Sequence, residues 1–409
     1  MHATDETTPQ RYSPLRAEHE ALGASFTDFG GWMMPVRYGS DLAEHHAVRR
    51  AAGLFDISHM GELVVTGAEA ASFLDFALAS RLSALPVGRA KYTMILASDG
   101  GIIDDLIVYR LAEDQFLVIA NAGNTDAVRE ALVERVRGSE LSAAEEKPDE
   151  PAGVDDRAPQ AHPDALGASE APPAPNGVIV EDVSDSSALI AVQGPAAQAI
   201  LESTPGIEDL GTGWGQQRPY GWTDATYDGS PLLIARTGYT GEDGFELLIR
   251  NQHAAALWRA LRATGEPHGL VPAGLAARDT LRLEAGMPLY DHELSREVVP
   301  AQAGLGGVIP ADKTGFIGEA AKSPRTEAPV LVGLVSDGRR AGRAGYAVLR
   351  GEERVGVLTS GALSPTLGHP IAMAFIDPSA VGADDLTIDV RGTRIAATTT
   401  ALPFYRRKK

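Results

Sequence analysis

The sequence contains no cysteine. That single absence excludes disulfides, zinc thiolate sites, cysteine-ligated iron–sulfur clusters and cysteine nucleophiles. Unbroken apolar runs are also missing: no stretch approaches the ~18 residues that a helical membrane span needs. The first ten residues, MHATDETTPQ, lack the basic and apolar regions of a secretory signal, so the chain reads as cytoplasmic. Basic residues are the third deficit. Against 55 Asp and Glu there are 36 Lys and Arg, a net charge of −19. Such a surface repels phosphate backbones, which argues against nucleic acid as a partner, and solubility is a sufficient account of it.

Common cofactor fingerprints are absent as well. Gly211–Gly215 reads GTGWG, not GxGxxG, and there is neither a P-loop lysine motif nor a GxSxG elbow. His45 and His46 are adjacent, not four apart, so they do not form a zinc-binding pair on one helix face.

What is present is a chain of 409 residues with 44% apolar content, enough for two or three cores. From about Ser139 to Gly177 the sequence is rich in Ala, Pro, Glu and Asp and has no aromatic residue. It cannot bury enough apolar surface to offset chain entropy and is expected to be a disordered spacer. Before it, Asp41–Ala52 has helical character, Gly61–Thr66 reads as a strand and Ala68–Ala79 as a helix. Lys91–Leu96, Ile102–Leu111 and Gln115–Ala120 are three β-rich runs separated by turn signals, which predicts an antiparallel meander, followed by a helix over Asn124–Arg137. After the spacer come a buried-strand pattern at Ala188–Gly194 and helices over Ala254–Thr264 and around Ala273–Ala285. From Pro329 short β runs with Gly turns suggest a separate small barrel or sandwich.

Three features carry candidate chemistry. Asp104 and Asp105 interrupt an apolar strand, GGIIDDLIVY. Successive side chains on a strand point to opposite faces, so one carboxylate is aimed at an interior and requires a partner or a task. An Asp at a sheet end beside a turn is the equally weighted alternative. Arg236–Leu247, RTGYTGEDGFEL, reads as a Gly-dense loop that lets backbone approach a ligand, or as a hairpin with solvated charges. Arg278 and Arg282 are four apart on a helix and share a face, fit to hold a carboxylate or to form intrahelical ion pairs.

These motifs, in this order, resemble the T proteins (aminomethyltransferases) of the glycine cleavage system. The similarity runs from Ser13–Ser40 through AGLFDISHMGEL, GGIIDDLIVY, ANAGN, ALIAVQGP, RTGYTGEDGFEL and GLAARDTLRLEAGMPLY to VGVLTSGALSPTLGHPIAMAF. It covers nearly the whole chain except the N-terminus and the acidic segment, which is longer than the family usually has there. The resemblance implies an α+β, three-domain cloverleaf around a central folate cavity, with a C-terminal β-barrel. It implies a first domain of residues 1–52 and 178–270, a second of 53–138 and 271–327, the linker 139–177 and the barrel 328–409.

The implied activity transfers a methylene carbon from the aminomethyl-dihydrolipoyl arm of the H protein to tetrahydrofolate. The products are 5,10-methylenetetrahydrofolate, ammonia and dihydrolipoyl H protein. Tetrahydrofolate is the co-substrate, and the chemistry requires no metal. The family's essential aspartate falls on Asp105, and its folate contacts on Tyr92, Asn121, Tyr239, Glu246 and Arg278, with a further tail contact at Arg406. Glu246 is expected to accept from the pterin ring and Arg278 to pair with a tail carboxylate at the ligand's other end. A related folate-dependent demethylase of a methylated amine or sulfonium is the alternative. Relatives with an added flavin domain do not fit the chain's length, and folate-binding iron–sulfur assembly factors carry a cysteine motif that this sequence lacks.

Overall fold

The computed structural model describes residues 10–146, 177–323 and 325–407. Two β-sheets dominate the first three quarters of the chain. The five-stranded sheet is fully antiparallel, in the order Arg89–Leu96, Ile102–Arg110, Gln115–Ala120, Gly61–Thr66, Ile179–Asp182. The expected meander is its first three strands. The seven-stranded sheet runs Ile207–Glu208, Trp222–Tyr227, Ser230–Ala235, Gly244–Arg250, Ser187–Gln193, Ala52–Asp56, Leu270–Pro272, and only its last pair is parallel. A small three-stranded sheet, Arg11–Tyr12, Trp32–Arg37, Ser25–Phe29, accompanies them. The C-terminal strands from Val330 to Thr400 close into a six-stranded barrel.

Strand alternation divides the apolar residues into separate cores. On the five-stranded sheet Leu63, Val65, Leu106, Val108, Phe116 and Val118 pack under the helices Ala70–Ala77 and Thr125–Glu146. On the seven-stranded sheet Ile190, Val192, Ile234 and Leu247 pack against the helix Asn251–Gly265. That helix presents Ala254, Leu257, Trp258 and Leu261 at the spacing of one apolar stripe, and all four are fully buried. Each large side chain of this kind contributes about 1.5–3 kcal/mol by leaving water. The opposite faces meet each other: Ile57, Val64, Tyr109, Leu117 and Ile119 pack with Leu189, Leu233 and Leu248. The helix Leu275–Glu284 joins this seam through Ala277 and Leu281. The sheets therefore stand face to face with that helix beside them.

Three expectations change. The helix expected to stop at Arg137 continues to Glu146, so it covers the first eight residues of the segment expected to be a disordered spacer. Its Ala- and Glu-rich composition suits a helix even where it lacks an apolar face. The rest of that expectation, residues 147–176, lies outside the described residues. Second, Gly244–Arg250 is a strand, so Glu246 and Leu247 are sheet residues and only 236–243 form the connection. Gly238 and Gly244 lie so close to the Gln193 side chain that a Cβ at either would collide with it, which accounts for the glycines without a purely loop role. Third, Ala52–Asp56 pairs within the seven-stranded sheet and Ile179–Asp182 within the five-stranded one. The chain thus crosses between sheets just after Asp56 and again after Asp182, a few residues later than the expected boundaries.

Candidate active site

Between the two sheets lies a cavity of about 280 Å³. Its walls include Tyr92, Asp105, Asn121, Tyr239, Glu246 and Arg278, with Ile57, Met60, Ile107, Leu189 and Leu289 as apolar lining. These polar side chains come from segments far apart in sequence, and sheet register aims them. On the strand Ile102–Arg110, Asp105 shares a face with Ile107 and Tyr109, which look toward the facing sheet. Asp104 points the other way, with Leu106, and is fully buried. Gly101, just before this strand, backs onto the carbonyl of Arg296 with no room for a Cβ, so only glycine admits that approach.

The two aspartates share one partner. Asn121 Nδ2 donates to Asp105 Oδ1 at 2.8 Å and to Asp104 Oδ1 at 2.9 Å. Asp104 also accepts from the backbone N–H of Asn121 at 2.9 Å and from Asn124 Nδ2 at 2.7 Å. The Tyr92 hydroxyl donates to the other oxygen of Asp105 at 3.1 Å. Burial, together with the charge of Asp105, pushes Asp104 up to about 7. Burial pushes Asp105 up too, against the hydrogen bonds from Tyr92 and Asn121. Burial and the neighbouring Asp105 hold the Tyr92 phenol well above its ordinary value, so it stays a donor. Asp104 thus braces Asn121, and Asn121 with Tyr92 orients Asp105 toward the cavity.

The facing wall has its own arrangement. Glu246 lies opposite Ala191 and Ala235 in the seven-stranded sheet. One of its oxygens accepts from Thr237 and, at 3.4 Å, from the Tyr109 hydroxyl. Burial pushes Glu246 up. Tyr239 donates its hydroxyl to the carbonyl of Pro288, and its ring lies 4.7 Å from the Arg278 guanidinium, a cation–π contact. Among the described residues the Arg278 guanidinium makes no ion pair and no hydrogen bond, so its donors are available to a ligand. Glu246 and Arg278 also line one small niche together with Gln193, Tyr239 and Thr240. They stand side by side and not at opposite ends of the cavity.

Family models cover most of the chain. The GCVT N-terminal domain matches residues 15–150 and 159–313, and the glycine cleavage T-protein C-terminal barrel domain matches 329–406. The chain belongs to the glycine cleavage T-protein family. The aminomethyltransferases of Saccharopolyspora erythraea and Streptomyces coelicolor are 49% and 47% identical to it, over 97% and 98% of this chain and 98% and 100% of theirs. The aminomethyltransferase of Geobacillus kaustophilus is 39% identical over 97% of this chain and 99% of its own. The crystal structure of glycine cleavage system aminomethyltransferase T from Bartonella henselae superposes with a TM-score of 0.81, at 32% identity, covering 98% of this chain and all of that one.

In this T-protein-family chain six of the seven expected site residues line the cavity; Arg406 does not. It sits exposed on the C-terminal segment, where it can serve only a part of a ligand that has left the cavity. Arg282, considered beside Arg278, is fully buried and paired, with Glu293 at 2.9 Å and Asp279 at 2.7 Å. The two arginines share a helix but not a role: Arg282 holds the loop that follows, donating to the carbonyl of Met287, while Arg278 faces the cavity. Sequence reasoning missed Tyr109, Thr237 and Asn124. Tyr109 was within reach, since it is four residues from Asp105 on the same strand face. Thr237 and Asn124 gave no local signal.

Proposed function

We propose that this cavity binds tetrahydrofolate and that Asp105 assists transfer of a methylene carbon to it from the aminomethylated lipoyl arm of an H protein. The chain is an aminomethyltransferase of the glycine cleavage system. The observation that carries the finer reading is the convergence on one largely apolar cavity of a raised, oriented carboxyl at Asp105, an acceptor at Glu246 and an unpaired guanidinium at Arg278. A flat pterin suits the apolar walls. Glu246, with one oxygen fixed by Thr237 and Tyr109, accepts from ring N–H groups with the other. Arg278, beside it, donates to an acceptor oxygen on the adjoining part of the ligand.

In the reaction the methylene carbon loses its bonds to sulfur and to the amine nitrogen and gains bonds to two folate nitrogens. The two folate N–H protons end on ammonia and on the dihydrolipoyl thiol. Asp105 faces the place where the attacking nitrogen becomes cationic, and as an anion it stabilises that charge and orients the nucleophile. The apolar surroundings strengthen the interaction by excluding water. A cytoplasmic setting, with neither nucleic acid nor membrane as partner, belongs to the same reading. The test is formation of 5,10-methylenetetrahydrofolate by the purified chain from tetrahydrofolate and aminomethylated, lipoylated H protein. Tetrahydrofolate-dependent demethylation of a methylated amine, with no transfer from the H protein, would replace this reading with a demethylase.

A further inference from the structure

The strand Ser187–Gln193 ends on a glutamine that is 1% exposed. A buried amide must find partners, and those of Gln193 lie on or beside one connection, residues 236–243. Its Nε2 donates to the carbonyl of Thr237 at 3.0 Å and, more weakly, to that of Phe245 at 3.5 Å. Its Oε1 accepts from the Thr240 hydroxyl at 3.0 Å. Carbonyls on one side and a hydroxyl on the other fix which way the amide is turned. The backbone is shaped around it. In the sheet register Gln193 faces Gly244 on one neighbouring strand and Gly53 on the other. A Cβ at Gly238 would overlap Oε1, and one at Gly244 would press on the same amide. Neither Gly238 nor Gly244 has the left-handed backbone that favours glycine, so contact with the amide is what excludes a side chain at both.

The same connection carries one wall of the cavity. The Thr237 hydroxyl donates to one oxygen of Glu246 and lies 3.1 Å from the Tyr109 hydroxyl, so that oxygen is held and the other is left to a ligand. Tyr239, between Gly238 and Thr240, sets its ring against Arg278. Gln193 is not part of the main cavity's lining, and among the described residues none of its hydrogen bonds goes to Glu246, Tyr239 or Arg278. It reaches them through 237–240, from behind, beside the niche that Glu246 and Arg278 share.

We propose that Gln193 is a positioning residue for ligand binding: its amide holds the carbonyl of Thr237, and through Thr237 it decides which oxygen of Glu246 stays free for the ligand. Without the amide the connection loses its template, the Thr237 hydroxyl leaves its register with Glu246, and the acceptor turns. Asp105 stands on the other sheet with its own donors and does not depend on Gln193. The effect therefore falls on binding and not on the transfer step. This rests on the folate reading above, in which Glu246 accepts from the pterin ring.

Two variants perturb this contact from its two ends. Gln193→Met keeps the length of the side chain and removes its donor and acceptor. Gly238→Ala crowds the amide from the connection and leaves Gln193 in place. Melting curves report whether each is folded. Crystal structures without ligand are expected to show the Thr237 hydroxyl beyond about 3.5 Å from Glu246 in both. Calorimetric affinity for tetrahydrofolate is expected to fall about tenfold, while the transfer rate at saturating tetrahydrofolate stays within about threefold. Thr237→Val is expected to lose a similar factor in affinity, and adding Gln193→Met to it to cost less than about twofold more, because both act on one oxygen of Glu246. A Thr237–Glu246 bond unchanged in folded variants, a loss confined to transfer rate, or fully additive losses in the double variant would overturn the positioning role and leave the folate reading intact. If the unaltered chain does not bind tetrahydrofolate, the folate reading fails, and the ligand-free structures still decide whether Gln193 sets Thr237.

Discussion

The helix Leu275–Glu284 separates two buried acidic centres whose fates differ. At its C-terminal end Glu284, fully buried, accepts from Arg49 Nη2 at 2.8 Å, from His45 at 3.2 Å, from the N–H and hydroxyl of Thr366 at 2.9 and 2.7 Å, and from Ser364. Burial works against its charge, yet these donors hold it down to about 2. In the cavity Asp105 has only neutral donors, Tyr92 and Asn121, and Glu246 only Thr237 and Tyr109. There burial prevails and both are pushed up. The two centres thus differ in the charge of their donors, and this separates a carboxylate that is held down from two that are raised. Glu284 ties the helix Asp41–Arg50, its own helix and the barrel connection at 364–366 into one junction. That junction holds in place the helix from which Arg278 enters the cavity.

The comparison can be broken most sharply at Glu284. Replacing it by Ala takes from Arg49 and His45 the carboxylate they share, leaving Arg49 with Glu242 and the carbonyl of Thr240, and His45 with Thr280 and Thr366; losing one side of a buried pair costs up to about 3–5 kcal/mol. Thermal unfolding should show a melting temperature lower by about 5 °C or more; an unchanged value would show that the junction does not anchor the helix. Next in size is Asn121→Ala, which removes the amide shared by the two aspartates but leaves the backbone donor to Asp104. The fold should persist while steady-state transfer falls about tenfold or more, because Asp105 loses its orientation.

A further pair of effects lies in pH dependence and has opposite signs. Asp104 is raised in the folded state, so its contribution to stability is full below about 3.8 and is lost as pH rises through about 7. Glu284 is lowered, so its contribution is full above about 4.5 and is lost as pH falls through about 2. Urea midpoints measured across pH should flatten between about pH 4 and 7 in Asp104→Asn and below about pH 4.5 in Glu284→Gln. Identical profiles in both variants would contradict the contrast.

Local pattern made much of the fold legible and less of the site. The strand Gly61–Thr66 has the bounds expected from its β-rich run, and the meander that carries Asp105 follows from its turn signals. The barrel follows from short runs between glycines. Helix ends were less clear, since the helix from Thr125 extends to Glu146, past Val136, the last residue of its buried stripe. Period-two alternation showed that Asp104 and Asp105 diverge but could not say which faces a cavity. That depends on the second sheet, whose strands Ala52–Asp56 and Ser187–Gln193 onward lie far from Asp105 in sequence on both sides. For the same reason Glu246 looked like a loop residue and Arg278 like the far end of a ligand site. Their shared niche exists only once the strand Gly244–Arg250 and the helix Leu275–Glu284 pack together.

The most direct measurement compares Asp105→Asn with Asp104→Asn in single-turnover transfer from aminomethylated H protein to tetrahydrofolate, alongside tetrahydrofolate affinity and melting temperature. With Asp105 as the catalytic carboxylate, Asp105→Asn should remain folded, keep most of its affinity and lose ~10²-fold or more in transfer rate. Asp104→Asn, at a residue that lies outside the cavity and braces Asn121, should lose less. An Asp105→Asn chain that transfers at near the original rate, or an Asp104→Asn chain that is the more impaired while still folded, would contradict that assignment.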